Sequence, residues 1–210
     1  MLDDPNHTEK RTDVLSARAR QTFFEYVPIS QRTHDDRRIY RKIPYGPLLD
    51  VFVLDMRTYR DANGSDDQTT DGQGIMGAAQ ASWLKRALAE SCATWKVIAA
   101  DMPLSLVDPD ADRIEAVSPG NNGAPLGREL QIADVLSSIK KNRVRNVVWI
   151  TTDVHYTAAH YYDPAKAAFQ DFDPFCQFFG EIAINGESGV LTTNMRDCTG
   201  KALWSVILSP

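Results

Sequence analysis

Three apolar, β-branched runs, at residues 48–55, 95–100 and 146–151, are separated by two segments of helical period. The first segment, 78–90, sets Trp83, Leu84, Ala87 and Leu88 on one side. The second, 128–142, sets Ile132, Val135, Leu136 and Ile139 at i, i+3, i+4 and i+7. Lys140, Lys141 and Arg143 suit the negative end of that helix. Strand, helix, strand, helix, strand is the alternation of an α/β fold, whose strand ends stay open for a site. The runs read as strands covered by neighbours, with Asp50 an interruption in the first.

Around this centre the chain changes character. Leu15, Ala19, Phe23 and Tyr26 mark an amphipathic helix over 8–26, stopped by Pro28. A charged stretch at 31–38 leads to an exposed strand at 39–43. Residues 61–77 read as a polar surface loop, and residues 103–127, with Pro109, Pro119, Pro125 and three glycines, as a second loop long enough to suggest that it serves a site. Strands at 178–184, 190–196 and 202–208, joined by Asn185-Gly186 and by Asp197-Cys198-Thr199-Gly200, form an antiparallel β-meander. The expected division is an α/β portion over 1–175 and a terminal meander over 176–210.

The 210 residues bury enough surface for an independent core. An apolar share of 43% and a charged share of 24% exclude a disordered chain. Twenty-eight acidic against 23 basic residues leave a net charge of −5, which offers nucleic acid no general attraction. No apolar run reaches the ~18 residues of a membrane span. Met1-Leu2-Asp3-Asp4-Pro5-Asn6-His7 lacks the basic and apolar regions of a signal peptide, so a cytoplasmic location is expected for the chain as given. Cys92, Cys176 and Cys198 form no disulfide or zinc framework.

The sharpest chemical feature is Asp153-Val154-His155, directly after the third apolar run. Residues two apart in extended chain share a side, so Asp153 and His155 could offer a carboxylate and an imidazole to one metal ion. The competing reading is chance, since Asp-x-His is a short pattern. His160 reads as a packed or surface histidine. Asp61-Ala62-Asn63-Gly64-Ser65-Asp66 fails as a calcium loop, with Asp66 where glycine is needed and Gly72 where glutamate is needed. Asp108, Asp110 and Asp112 read as turn chemistry. In Asp55-Met56-Arg57-Thr58-Tyr59-Arg60, Arg57 or Arg60 could clamp a phosphate beside Tyr59; the alternative is an ion pair with Asp55. Serine or cysteine nucleophile motifs and Gly-rich phosphate loops are absent.

Taken together, several stretches resemble the PhoD-like alkaline phosphatases of the metallophosphoesterase superfamily. They are Thr8-Glu9-Lys10-Arg11-Thr12-Asp13-Val14-Leu15, Phe23-Phe24-Glu25-Tyr26, Arg38-Ile39-Tyr40-Arg41 and Leu54-Asp55-Met56-Arg57-Thr58-Tyr59-Arg60. Trp95-Lys96-Val97-Ile98-Ala99-Ala100-Asp101-Met102-Pro103, the run from Asn146 through Asp153-Val154-His155-Tyr156, Asp171-Phe172-Asp173-Pro174-Phe175 and the terminal meander complete the set. The resemblance implies part of an α/β/β/α metallophosphoesterase sandwich ending in the antiparallel meander. It further implies phosphomonoester or phosphodiester hydrolysis at a metal cluster, calcium together with iron, an exported family, and Asp153 and His155 as metal ligands.

Departures from the family pattern qualify these expectations. Its Asp-rich metal motifs precede the helix that begins here near Thr8, Phe175-Cys176-Gln177-Phe178 runs almost straight into the meander, and Thr152 replaces a small residue. Two ligands cannot hold a two-metal cluster. The expectation is therefore a C-terminal portion, truncated and internally shortened, with impaired or no activity alone. The alternative is a non-catalytic or complementing half that associates through an exposed sheet edge.

Overall fold

The structure is a computed structural model and describes residues 8–29, 38–61, 74–104, 109–110, 113–114, 117, 127–152, 178–197 and 199–210. The chain divides into two compact units, Met1–Arg41 and Lys42–Pro210.

In the first unit, α1 spans Thr12–Tyr26, and Val27 closes it by donating its N–H to Phe23 O. The face expected to be buried is not: no α1 residue is buried, and Tyr26 is 82% exposed. Only three large side chains stand on that face, and Phe23 finds its ring partner edge-on in the adjacent Phe24 rather than across a core. The strand expected to be exposed at 39–43 begins later, and Tyr40 and Arg41 are buried. Arg41 donates to Ile39 O and Arg38 O and lies over the Phe24 ring, so its charge is covered but hydrogen-bonded.

The second unit carries the expected α/β alternation. β1 (Arg41–Tyr45) and β2 (Leu49–Val53) flank a turn with Gly46 at φ 68°. A connection this short joins antiparallel neighbours. α2 (Ala78–Ala89) leads to β3 (Trp95–Ala100), and α3 (Glu129–Lys141) leads to β6 (Val147–Thr151). The sheet order is β1-β2-β3-β6. β3 runs parallel to both neighbours, with Leu49 opposite Trp95 and Ala100 opposite Thr151. Phe52, Leu54, Ile98 and Ala100 pack with Leu84 and Leu88 of α2 and with Ile132 and Val135 of α3. Burying each large apolar side chain contributes about 1.5–3 kcal/mol, which is what holds the helices to the sheet. β6 differs from the buried strand expected. It lies at the end of the sheet among the described strands, and Ile150 is 40% exposed.

Asp50 is accommodated rather than disruptive. Its carboxylate accepts from Lys42 Nζ at 2.8 Å and Ser91 Oγ at 2.6 Å, and it faces Lys96 in the β2–β3 register. Burial lowers Lys96 below its usual ammonium range, against the attraction of Asp50.

The second long loop is not structureless. β4 (Pro109–Asp110) pairs antiparallel with β5 (Arg113–Ile114), while Asp108, Asp112 and residues 62–73 lie outside the described residues. β7 (Phe178–Ile184), β8 (Leu191–Asp197) and β9 (Ala202–Leu208) make the expected meander. Its first corner is wider than the two-residue turn expected. Asn185 and Val190 still pair, Asn185 Oδ1 takes the N–H groups of Glu187 and Ser188, and Gly189 supplies the positive φ of 69°. Gly189 O then accepts from Trp95 Nε1 at 2.6 Å, tying the meander's corner to the start of β3. Among the described residues, no helix is long and apolar enough to cross a membrane.

Candidate functional site

The carboxyl ends of β2, β3 and β6 lie at one edge of the sheet because the three strands are parallel. Ligand sites of open α/β sheets form outside such ends. Continuing the β2–β3 register past Val53 and Ala99 sets Asp55 beside Asp101. Leu54 N–H still bonds to Ala99 O, so the ladder extends to the site's floor.

Side chains then replace the ladder. Met56 N–H donates to Asp101 Oδ1 at 2.9 Å, and Thr58 N–H donates to Asp55 Oδ1 at 2.8 Å. Gln80, 1% exposed at the start of α2, accepts from Asp55 N–H and donates to Asp55 O and Met76 O. Gln131 of α3 accepts from the N–H groups of Ile75 and Met76. A Cβ on Gly74 would stand 2.9 Å from Gln131 Oε1, so glycine is required for that approach. Asp61 and Gly74 close the neck of the intervening loop, with Asp61 N–H to Gly74 O and Gly74 N–H to Asp61 Oδ2, 2.9 and 2.8 Å. Buried Gln80 and half-buried Gln131 thus fix the rim, in place of regular structure.

Electrostatically the rim is acidic. Burial pushes the Asp101 carboxyl above its usual range; the Met56 N–H bond opposes this, the Asp55 charge adds to it, and Arg57 offsets it. Asp55 is 4% exposed, and its Oδ2 has no hydrogen-bond partner. The ion pair weighed for Asp55 with Arg57 or Arg60 does not form, because Oδ1 is taken by a backbone amide and Arg60 reaches Met102 Sδ. Arg57 is exposed and close enough to act on Asp101.

The structure therefore brings together Asp55, Arg57 and Asp101. Asp153, His155, Tyr156 and His160 lie outside the described residues, which reach Thr152 past the end of β6. Among the described residues, no three or more His, Cys, Asp or Glu side chains are grouped so that they could hold a metal ion together. Asp101, Gln80 and Gln131 were not singled out from the sequence. An acid directly after a buried strand, the pattern noticed at Asp153, was a signal for Asp101; the glutamines carried none.

A family model described as PhoD-like phosphatase matches residues 2–197. Alkaline phosphatase D of Bacillus subtilis (strain 168) is 30% identical over 187 residues, covering 82% of this chain and 31% of the relative. A solved structure described as "Structure of PhoD" matches with a TM-score of 0.47 and 26% identity, covering 67% of this chain and 28% of that one. The chain thus spans less than a third of the length of these two proteins.

Proposed function

The chain belongs to the PhoD-like phosphatase family, and from that premise we propose that it contributes to metal-dependent hydrolysis of phosphate esters, with Asp153 and His155 as metal ligands. The observation that carries this reading is the position of Asp153-Val154-His155 directly after β6, a strand parallel to β3.

A carboxylate and an imidazole are the right kinds of donor for calcium and iron respectively. Their number is short, because calcium alone takes six to eight oxygens. This span therefore supplies one side of a centre, and its activity by itself is low. Lewis-acid polarisation of the phosphoryl oxygen and neutralisation of its charge are what a bound metal brings to such an ester. Arg57, exposed just past β2, is the group proposed to bind the phosphate oxygens, for which its planar fork is suited. Gln80 and the Asp55 carboxylate hold the backbone from which Arg57 projects.

The test is hydrolysis of p-nitrophenyl phosphate and its diester with added calcium and iron. Expected is slow turnover that a chelator removes and metal restores, with KM raised about tenfold in Arg57→Ala, a loss of about 1.4 kcal/mol. Turnover indifferent to chelation would contradict the proposal.

A second reading, a non-catalytic or complementing part, is favoured by one observation. Leu203, Trp204 and Ile207 of β9 are 50%, 41% and 69% exposed, at the outer strand of the meander. Absent turnover together with tight self-association would select it.

A further inference from the structure

Asp55 Oδ2 is buried without a hydrogen-bond partner, although its sister oxygen is satisfied by Thr58 N–H. An unpaired buried carboxylate oxygen is costly, and native proteins pair such groups or place an ion there. Among the described residues no cationic side chain bonds Asp55 Oδ2, and Arg60 donates to Met102 Sδ. The adjacent carboxylate makes matters worse. Asp101 follows β3 as Asp55 follows β2, and its Oδ1 takes Met56 N–H, the amide next to Asp55. Two acids are held side by side by backbone amides at both anchors, so neither can swing away without breaking a main-chain bond. Burial, then the Asp55 charge, push Asp101 upward, the behaviour of a carboxylate lacking a counter-charge, with Arg57 compensating only in part.

We infer that Asp55 and Asp101 form a binding site for a hard divalent cation of the calcium or magnesium type, at the carboxyl ends of β2 and β3. Carboxylate oxygens with no nitrogen or sulfur donor suit such ions, and water completes their shells. Two carboxylates place the affinity at the weak end, with a Kd on the order of 1 mM. The ion cross-links two adjacent strand ends and the Met56–Thr58 turn that presents Arg57.

The test uses the full chain carrying Asp153→Ala and His155→Ala, so that the ligands of the proposed catalytic centre do not contribute. Thermal unfolding is followed with calcium alone and with magnesium alone, alongside terbium luminescence displaced by calcium. At roughly tenfold excess over Kd, the unfolding midpoint rises by about 4 °C. Asp55→Asn and Asp101→Asn, which keep the acceptor for each anchoring amide, each abolish the rise and the calcium-displaceable terbium signal. Should one variant not fold, the other and the luminescence carry the comparison. A parent chain that ignores both ions, or a rise that survives in both asparagine variants, overturns the site. So does an Asp55→Asn protein that gains stability with no ion response in the parent, since the acids would then share a proton instead.

Discussion

Burial alone would raise the Asp50 carboxyl, yet hydrogen bonds from Lys42 and Ser91 and the charges of Lys42 and Lys96 hold it below its ordinary value of 3.8. A carboxylate lowered on folding stabilises the protein above its unfolded pKa and loses that contribution as pH falls through the folded one. Asp50→Ala, which takes the carboxylate from Lys42 and Ser91 and the attraction of its charge from buried Lys96, should cost about 2–3 kcal/mol at pH 7. The deficit should shrink below pH 3.8, where the wild-type carboxylate also takes its proton. Urea unfolding at several pH values measures both effects. Asp101 has the opposite sign: its raised value makes the ionised form a burden, so its contribution is favourable at low pH and lost as pH rises through the folded pKa. Gln80 tests the rim. Gln80→Leu leaves the amide of Asp55 and two carbonyls unpaired in a buried place, and should cost about 3 kcal/mol in the same unfolding experiment.

The elements most legible in the sequence were those set by a local pattern. The apolar run at Trp95–Ala100 and the meander segments Phe178–Ile184 and Ala202–Leu208 match the strands residue for residue, because short runs bounded by turn residues read as strands. α2 and α3 were legible through the helical spacing of Leu84, Leu88, Ile132 and Val135. What escaped were contacts that depend on a distant partner. Nothing near Gln131 in sequence announces the amides of Ile75 and Met76, and nothing near Asp55 shows that Arg60 turns to Met102 Sδ. Of the candidate site, Asp55 and Arg57 were picked out, while Asp101 and the anchoring of both acids by backbone amides were not. At the first meander corner, Asn185-Gly186 suggested a tight turn, but the left-handed residue is Gly189. Gly189→Ala should therefore destabilise by about 1–2 kcal/mol through its φ of 69°. Gly186→Ala, whose Cβ meets open space, should be nearly silent. Thermal melts of the two variants decide between the corners.

For the molecule as a whole, a net charge of −5 makes phosphate binding a local matter. In the proposed reading, Arg57 and metal bound at the strand ends supply the counter-charge. Apolar residues of β9 and the exposed Ile150 of β6 predict association at raised concentration. Light scattering after gel filtration should show mass increasing with loading, and Leu203→Lys with Ile207→Lys should return the chain toward monomer. The central proposal, that this chain contributes to phosphate-ester hydrolysis through Asp153 and His155, has its most direct test in one comparison. Turnover of p-nitrophenyl phosphate is measured for wild type and Asp153→Ala at saturating metal. The account predicts metal-dependent hydrolysis that falls at least about 100-fold in the variant, some 2.7 kcal/mol of transition-state stabilisation. Equal turnover by the two proteins would contradict it.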